Sequence, residues 1–242
     1  MSTNICLLQI SGIEVLVLRK SVKNLHLNVL PPVGKVRVTA PSYMKDDAIQ
    51  TFLATRISWI KKQQAKFRAQ EREAPREYVS GETHYFMGNK YRLDVITSNI
   101  KPKVEINGKK KLVLNVRPES TVSKREQVIQ NWHREQLRIL LCQTIPKWEK
   151  KIGVKVQDWG IKRMKTRWGT CNNKSNRIWF NLELAKKPEG CIEYVVVHEL
   201  VHLIEKKHSD NFIALMNKHL PKWRSEKDEL NRSVLSHEEW KY

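Results

Sequence analysis

The histidine pair in His198-Glu199-Leu200-Val201-His202 constrains this chain more than any other part of its sequence. On an α-helix, residues at positions i and i+4 lie one above the other on the same face, so both imidazoles can reach one cation while Glu199 stands beside them. The pattern therefore predicts a helix with one metal-binding face. Zinc is the ion expected for such a pair.

The residues around this motif indicate a buried helix from Pro188 to Glu205. The segment is apolar around most of its circumference, and Pro188 suits a first turn. Three successive valines favour a strand, but the length of the segment favours a helix. Polar side chains such as His198 and His202 are costly to bury in a helix of this kind unless a partner satisfies them. A metal ion would be that partner.

A third ligand is expected just after the helix. The chain can turn back there and bring His208 to the metal from a second direction, before a new helix that Ser209 or Asp210 caps. Glu205 is the alternative ligand, because it lies three residues beyond His202 on a neighbouring helical face.

Three neutral imidazoles leave one position of a tetrahedral site open for a water molecule, whose pKa the zinc lowers towards about 7. Glu199 is then the general base that takes a proton from the zinc-bound water and passes it to a leaving group. The motif thus predicts a zinc-dependent hydrolase. A structural metal site, or core histidines satisfied without a metal, are the alternatives.

The chain as a whole is long and basic. Its 242 residues suffice for one large domain or two lobes, and its four cysteines form no close pair, which is typical of a reducing compartment. No stretch reaches the roughly 20 apolar residues of a membrane span, so we expect a cytoplasmic protein. The net charge of +20 favours an anionic partner, nucleic acid included, or a repulsive surface, and the oligomeric state stays unknown.

Short strands dominate the first part of the chain. The alternation of branched residues predicts strands within residues 5–39, arranged as a meander, and again within residues 84–116. A helix is expected between these groups at residues 45–73. These elements predict a β-rich N-terminal lobe at residues 1–118.

A different pattern follows in residues 119–242. A long amphipathic helix is predicted at residues 123–151, with a kink or break at Pro146. Two strands, at residues 154–164 and 177–184, precede the metal helix. The fold class is therefore α+β, with a β-rich lobe followed by a catalytic lobe.

A second informative segment, Arg167-Trp168-Gly169-Thr170-Cys171, lies between those two strands. An extended segment beside a metal helix can bind a peptide by main-chain hydrogen bonds, and Arg167 can pair with a substrate anion or a developing oxyanion. Trp168 and Gly169 also fit a core residue and a tight turn. Arg167 is the candidate substrate-binding residue.

The two segments together resemble the YgjP-like (DUF45) metallopeptidase family of the zincin clan. That family has an RWGSC-like segment, a helix bearing HELxH and a third histidine before a helix start. The corresponding residues here are 167–171, 196–202 and His208-Ser209, with Thr170 in place of the usual serine.

The resemblance implies a zincin-like catalytic lobe in which His198, His202 and His208 bind zinc and Glu199 is catalytic. A polypeptide, or another anionic molecule, would then be the substrate. Two alternatives stay open: a DNA-associated protease similar to the SprT-like proteases, which the basic composition favours, and a metal-dependent nucleotide phosphohydrolase.

Overall fold

The computed structural model describes residues 4–30, 34–69, 76–164 and 167–232. These residues form two compact units, one made of the described residues up to 69 and the other of those from 76 onward. The lobe boundary expected at residue 118 falls inside the second unit. The strands before it pack with the long helix after it, so they belong to one unit.

The predicted fold class is confirmed. Strands dominate the first 116 residues and helices dominate the rest, which is an α+β arrangement. None of the helices in the described part of the chain is long and apolar enough to cross a membrane.

The first unit is a four-stranded sheet followed by two helices. The elements are β1 (Asn4–Ile10), β2 (Ile13–Lys20), β3 (His26–Leu30), β4 (Lys35–Pro41), α1 (Asp46–Ala54) and α2 (Ile57–Ala69). The strand order is β1-β2-β4-β3, with β2 and β4 parallel, so the predicted meander is wrong. The two central strands carry the most buried residues, Val15, Val17, Val36 and Val38, and pairing them buries these side chains in one core.

The single helix predicted at residues 45–73 is also wrong, because the chain turns at Thr55 and Arg56. The Thr55 hydroxyl donates to the Phe52 carbonyl at 2.8 Å and closes α1. The turn lets Leu53 of α1 and Ile60 of α2 enter the same core, each 1% exposed. Residues 70–73 of the predicted helix lie outside the described residues.

The second unit begins with another four-stranded sheet and a long helix. The elements are β5 (Thr83–Phe86), β6 (Asn89–Thr97), β7 (Lys103–Asn107), β8 (Lys111–Val116) and α3 (Val122–Ile152). The strand order is β5-β6-β8-β7, and Ile129 of α3 packs on this sheet. Helix α3 runs through Pro146, so the predicted break does not occur. Ile145 and Trp148 on either side of the proline are buried in the core and hold the helix in place.

The rest of the unit carries the predicted metal helix. Its elements are β9 (Asp158–Lys162), β10 (Gly169–Asn172), β11 (Arg177–Asn181), a 3-10 helix (Leu182–Lys186), α4 (Glu189–Val201), α5 (Asp210–His219) and α6 (Trp223–Arg232). Both strands predicted in this region are shorter than expected. The three-stranded sheet has the order β10-β11-β9, so β10 is an edge strand, and it contacts α4.

Helix α4 lies at the centre of this core. Val196, Val197, Leu200 and Val201 are completely buried, and α3, α5 and α6 all pack against the helix. The apolar circumference predicted from the sequence is thus covered on every side except the face that carries the histidines.

Candidate metal centre

Helix α4 ends earlier than the sequence predicts, at Val201 instead of Glu205, and His202 is its C-terminal cap. Tight turns replace the last helical turn: Leu203 N–H donates to the Leu200 carbonyl and Ile204 N–H to the Val201 carbonyl, each at 3.0 Å. The chain therefore reverses directly behind the second histidine of the motif.

This reversal brings the three predicted histidines together. One ring nitrogen from each of His198, His202 and His208 lies within 4.8 Å of the others, and the Nε2 atoms of His198 and His208 are 3.1 Å apart. The Ser209 hydroxyl caps α5 by accepting from the Phe212 N–H at 3.4 Å. The Phe212 ring then lies against all three imidazoles, with centroids 4.8 to 5.0 Å away.

The three imidazoles fit a zinc ion. Tetrahedral zinc with Zn–N bonds of about 2.0 to 2.1 Å separates two ligand nitrogens by about 3.3 Å, close to the spacing between His198 and His208. Burial lowers the pKa of His198 to about 3 and also lowers the pKa of His202, so both rings are neutral at physiological pH. A neutral imidazole has a nitrogen lone pair to offer a metal.

Two contacts that the sequence did not reveal orient His202. Its Nδ1 lies 3.0 Å from the Glu205 carbonyl, a distance at which Nδ1–H donates and Nε2 keeps its lone pair for a metal. The Asn173 side-chain amide donates to the His202 carbonyl and ties the β10–β11 hairpin to the end of α4. The Glu205 carboxylate accepts instead from the Lys207 N–H and the Asn211 amide, so the structure does not bring this alternative ligand into the cluster.

Glu199 lies beside the histidines and is only 5% exposed. Burial raises the pKa of its carboxyl to about 8, while the Arg167 guanidinium acts in the opposite direction. The Glu199 carboxyl group is thus largely shielded from bulk water. The guanidinium of Arg167, which belongs to the second predicted segment, lies close enough to influence its pKa.

Asn181 fixes the segment that carries Arg167. Its side-chain amide donates to the carbonyls of Met164 and Arg167 at 2.8 and 2.9 Å, and its own N–H donates to the Trp168 carbonyl at 2.9 Å. Nothing in the sequence pattern assigned a role to this residue. Its one signal is that it is a polar side chain directly after the apolar residues Ile178–Phe180 of β11.

A cleft of about 540 Å³ opens over the centre. The three histidines and Glu199 line one wall, and β10 lines another with Thr170 and Cys171. Arg167 and Lys206 add two cations to the lining. The structure therefore places Glu199, Arg167 and the three histidines in one cleft, while the alternative ligand Glu205 does not line it.

A buried helix bearing HExxH, with a third histidine brought to it, is the arrangement of a metal-dependent hydrolase. A family model described as YgjP-like, metallopeptidase domain, matches residues 23–233, and the chain belongs to this family. The resemblance noted in the sequence is thereby confirmed. The protein is a metallohydrolase of the peptidase type, and its family implies a divalent metal.

The other comparisons add little. Among solved structures, the metallopeptidase zymogen of Pyrococcus abyssi abylysin is similar to part of the chain. It is 19% identical, the match covers 39% of this chain and 99% of that chain, and the TM-score is 0.35. No curated protein sequence matches the chain. The family assignment therefore rests on the family model alone.

Proposed function

We propose that this protein is a zinc-dependent metallopeptidase in which Glu199 is the general base. The convergence of three imidazole nitrogens beside one buried carboxylate supports this function best. His198, His202 and His208 are the proposed zinc ligands, since their nitrogens lie within 4.8 Å of one another and those of His198 and His208 are close to the spacing in a tetrahedral zinc site.

Zinc held by these residues would supply a Lewis acid for the scissile carbonyl and would lower the pKa of water. The positive charge of a bound zinc ion would favour the ionised form of Glu199 and so oppose the effect of burial on its pKa. The Glu199 carboxylate then takes a proton from the attacking water and delivers it to the leaving amine nitrogen. Its burial limits exchange of that proton with bulk water. Phe212, packed against the three imidazoles, holds the rings in place.

The edge strand β10 is the proposed binding surface for the polypeptide. Its partner β11 occupies one edge, and among the described residues no strand pairs with the other. An extended peptide can add to such an edge by main-chain hydrogen bonds, which depend little on side-chain identity. Because β10 lines the cleft, a peptide bound there would pass close to Glu199.

Arg167 and Lys206 are the proposed binding residues for an acidic group of the substrate. Both line the cleft, both are exposed, and neither forms an ion pair with another of the described residues. Glu199 is the only carboxylate among the described residues that line the cleft. Two cations in the cleft lining that form no ion pair among the described residues favour polypeptides with an acidic side chain near the scissile bond.

Glu199→Gln tests the function. We expect zinc binding to be retained and cleavage of acidic peptides to fall by about 10²-fold or more, since the amide cannot accept the proton. Glu189→Gln is the matched control: it makes the same change in the first turn of α4, at an exposed site outside the cleft. Cleavage by Glu199→Gln at the parent's rate would remove Glu199 as the base.

The same proteins assayed with nucleoside triphosphates and duplex DNA separate the alternatives. If the parent hydrolysed nucleotides but cleaved no peptide, and Glu199→Gln lost that hydrolysis, the protein would be a phosphohydrolase instead of a peptidase. Salt-dependent binding of DNA that accompanies peptide cleavage would favour the DNA-associated protease. If Arg167→Gln bound and hydrolysed the substrate as well as the parent, Arg167 would not contact the substrate.

A further inference from the structure

We propose that Gly169 is a positioning residue for the catalytic carboxylate, because the side chain that it lacks leaves the space in which the Glu199 side chain lies. The functional part of this inference rests on the proposed role of Glu199 as general base. Its structural part, that Gly169 fixes where the carboxylate sits, stands on geometry alone.

The geometry is close on one side of Gly169. A Cβ atom built there would lie 2.6 Å from Glu199 Cγ, 2.6 Å from Oε1 and 2.8 Å from Cδ. Real Cβ atoms essentially never approach other heavy atoms to less than 3.0 Å. The φ angle of Gly169 is outside the left-handed region, so other residues can adopt its backbone conformation. Space, and not backbone freedom, requires glycine at this position.

Neither partner can easily retreat. Gly169 pairs with the completely buried Phe180 in the β10–β11 ladder, and Asn181 holds the two residues before it through their carbonyls. On the other side, the helix that carries Glu199 is buried in the core. The contact also involves Cγ and Cδ as well as the carboxylate oxygen, so the whole Glu199 side chain would have to take another rotamer.

The contact has a consequence for catalysis. Because Gly169 has no side chain, the Glu199 carboxylate lies directly against the main chain of β10. This edge strand is the proposed binding surface for the polypeptide. A base in that position is next to the path of an extended substrate and beside the histidine cluster at once. Displacing it would separate the base from the reacting water, and misplacement by about 1 Å can cost about 10²-fold in rate.

Gly169→Ala tests the inference, and Gly190→Ala is its matched control. A Cβ at Gly190 would also meet a glutamate, Glu226, at 2.4 Å from Oε2. There the close atoms belong to the carboxylate end of a half-buried side chain on α6, outside the cleft. The two variants thus make the same substitution against the same residue type, and only one touches the proposed base.

We expect Gly169→Ala to lower kcat by about 10²-fold with KM and zinc content near those of the parent. Gly190→Ala should keep the parent's kcat. Adding Gly169→Ala to Glu199→Gln should cause little further loss, because the two changes act through the same group. If Gly169→Ala lowered kcat as much in the Glu199→Gln protein as in the parent, Gly169 would act independently of Glu199.

A crystal structure of zinc-loaded Gly169→Ala provides a readout that does not depend on activity. We expect the Glu199 carboxylate to occupy a different rotamer. An undisplaced carboxylate would overturn the positioning role even if Glu199→Gln proved Glu199 to be the base. A displaced carboxylate with unchanged cleavage would uphold the geometry and reject the base, so the two failures are distinguishable.

Discussion

The two four-stranded sheets have the same strand order, and the second belongs to the unit that carries the candidate metal centre. In each sheet the first two strands form an antiparallel hairpin, the second strand pairs in parallel with the fourth, and the third lies at the edge. The first sheet packs on its own two helices. The second packs on α3, which continues into the core that surrounds α4.

The first hairpin turn of each sheet shows the difference most clearly. In the first sheet the turn contains Gly12, and a Cβ built there would meet no heavy atom of the described residues within 4 Å. In the second sheet the corresponding turn contains Gly88, where a Cβ would lie 2.8 Å from Pro188 Cγ. The N–H groups of Met87 and Gly88 donate to the Ala185 and Lys186 carbonyls at 2.9 and 3.2 Å.

Pro188 is the N-terminal cap of α4, so this turn holds the segment from which the metal helix starts. Strand order alone therefore does not decide what a sheet does in this protein. In the second unit, this arrangement of strands supports the candidate site through its turn and its covering helix, which contact the residues around α4.

The largest expected effect comes from cavities in the two cores. Leu53 of α1 and Leu141 of α3 are 1% and 0% exposed, and replacing either by alanine should cost about 2 to 5 kcal/mol. We expect only Leu141→Ala to weaken zinc binding, because Leu141 shares a core with α4. Calorimetry with and without zinc measures both effects. Loss of the zinc-dependent stabilisation in Leu53→Ala would show that the first sheet also supports the site.

Acid should affect the second unit through two buried histidines. His84 of β5 and His133 of α3 are each 3% exposed, and burial lowers the pKa of each to about 3. The unfolded chain, with a pKa of about 6.5, binds protons that the folded unit does not. The free energy of unfolding is therefore highest above pH 6.5 and falls as the pH falls towards 3, by about 1.4 kcal/mol per pH unit for His133. The contribution of His84 is smaller, because the Glu82 carboxylate lies 3.2 Å from its Nε2 and favours the protonated ring.

His133→Phe isolates this effect. The His133 ring stacks on Phe86, and its Nε2 has no hydrogen-bond partner among the described residues. The ring also has a hydrogen bond with the Tyr85 backbone, and the variant loses this bond equally at both pH values, so the difference between them still reports protonation. At pH 5 the variant should have lost about 2 kcal/mol less than the parent, relative to pH 7, in urea unfolding. His26→Gln, in the exposed part of β3, should follow the parent. Equal acid sensitivity in all three proteins would contradict the prediction.

The sequence predicted the candidate site better than the fold around it. The positions of His198 and His202 follow from helical periodicity, which is local, and the approach of His208 needed only a helix end and a reversal within a few residues. These are interactions over short separations in the chain. The structure places all three nitrogens together, as that spacing predicts.

The parts that the sequence did not predict depend on distant residues. The parallel pairing of β2 with β4 requires a crossover, and the amide contact from Asn173 to the His202 carbonyl joins residues 29 positions apart. Asn181 likewise acts on a segment 14 to 17 residues away. No pattern within one strand or helix encodes such pairings. Likewise, nothing in the sequence around Gly88 indicates that its turn meets Pro188.

The smallest expected effect, the extra loss of stability from the contact at Gly88, is also the most direct test of the comparison. Gly12 and Gly88 have nearly the same left-handed backbone, with φ angles of 77° and 79°. Alanine at either position should therefore cost a similar amount in backbone strain, about 1 to 2 kcal/mol. Gly88→Ala adds the contact with Pro188, which should cost about 1 kcal/mol or more beyond the strain.

Gly12→Ala thus measures the strain, and the excess loss in Gly88→Ala, from chemical unfolding, measures the contact. We also expect zinc affinity to fall only in Gly88→Ala, since that variant alone disturbs the start of α4. If both variants lost equal stability and both kept the parent's zinc affinity, the turn of the second sheet would not support the metal helix. The two sheets would then differ only in the contact through α3. The zinc binding of Leu141→Ala would be the measurement that tests this difference.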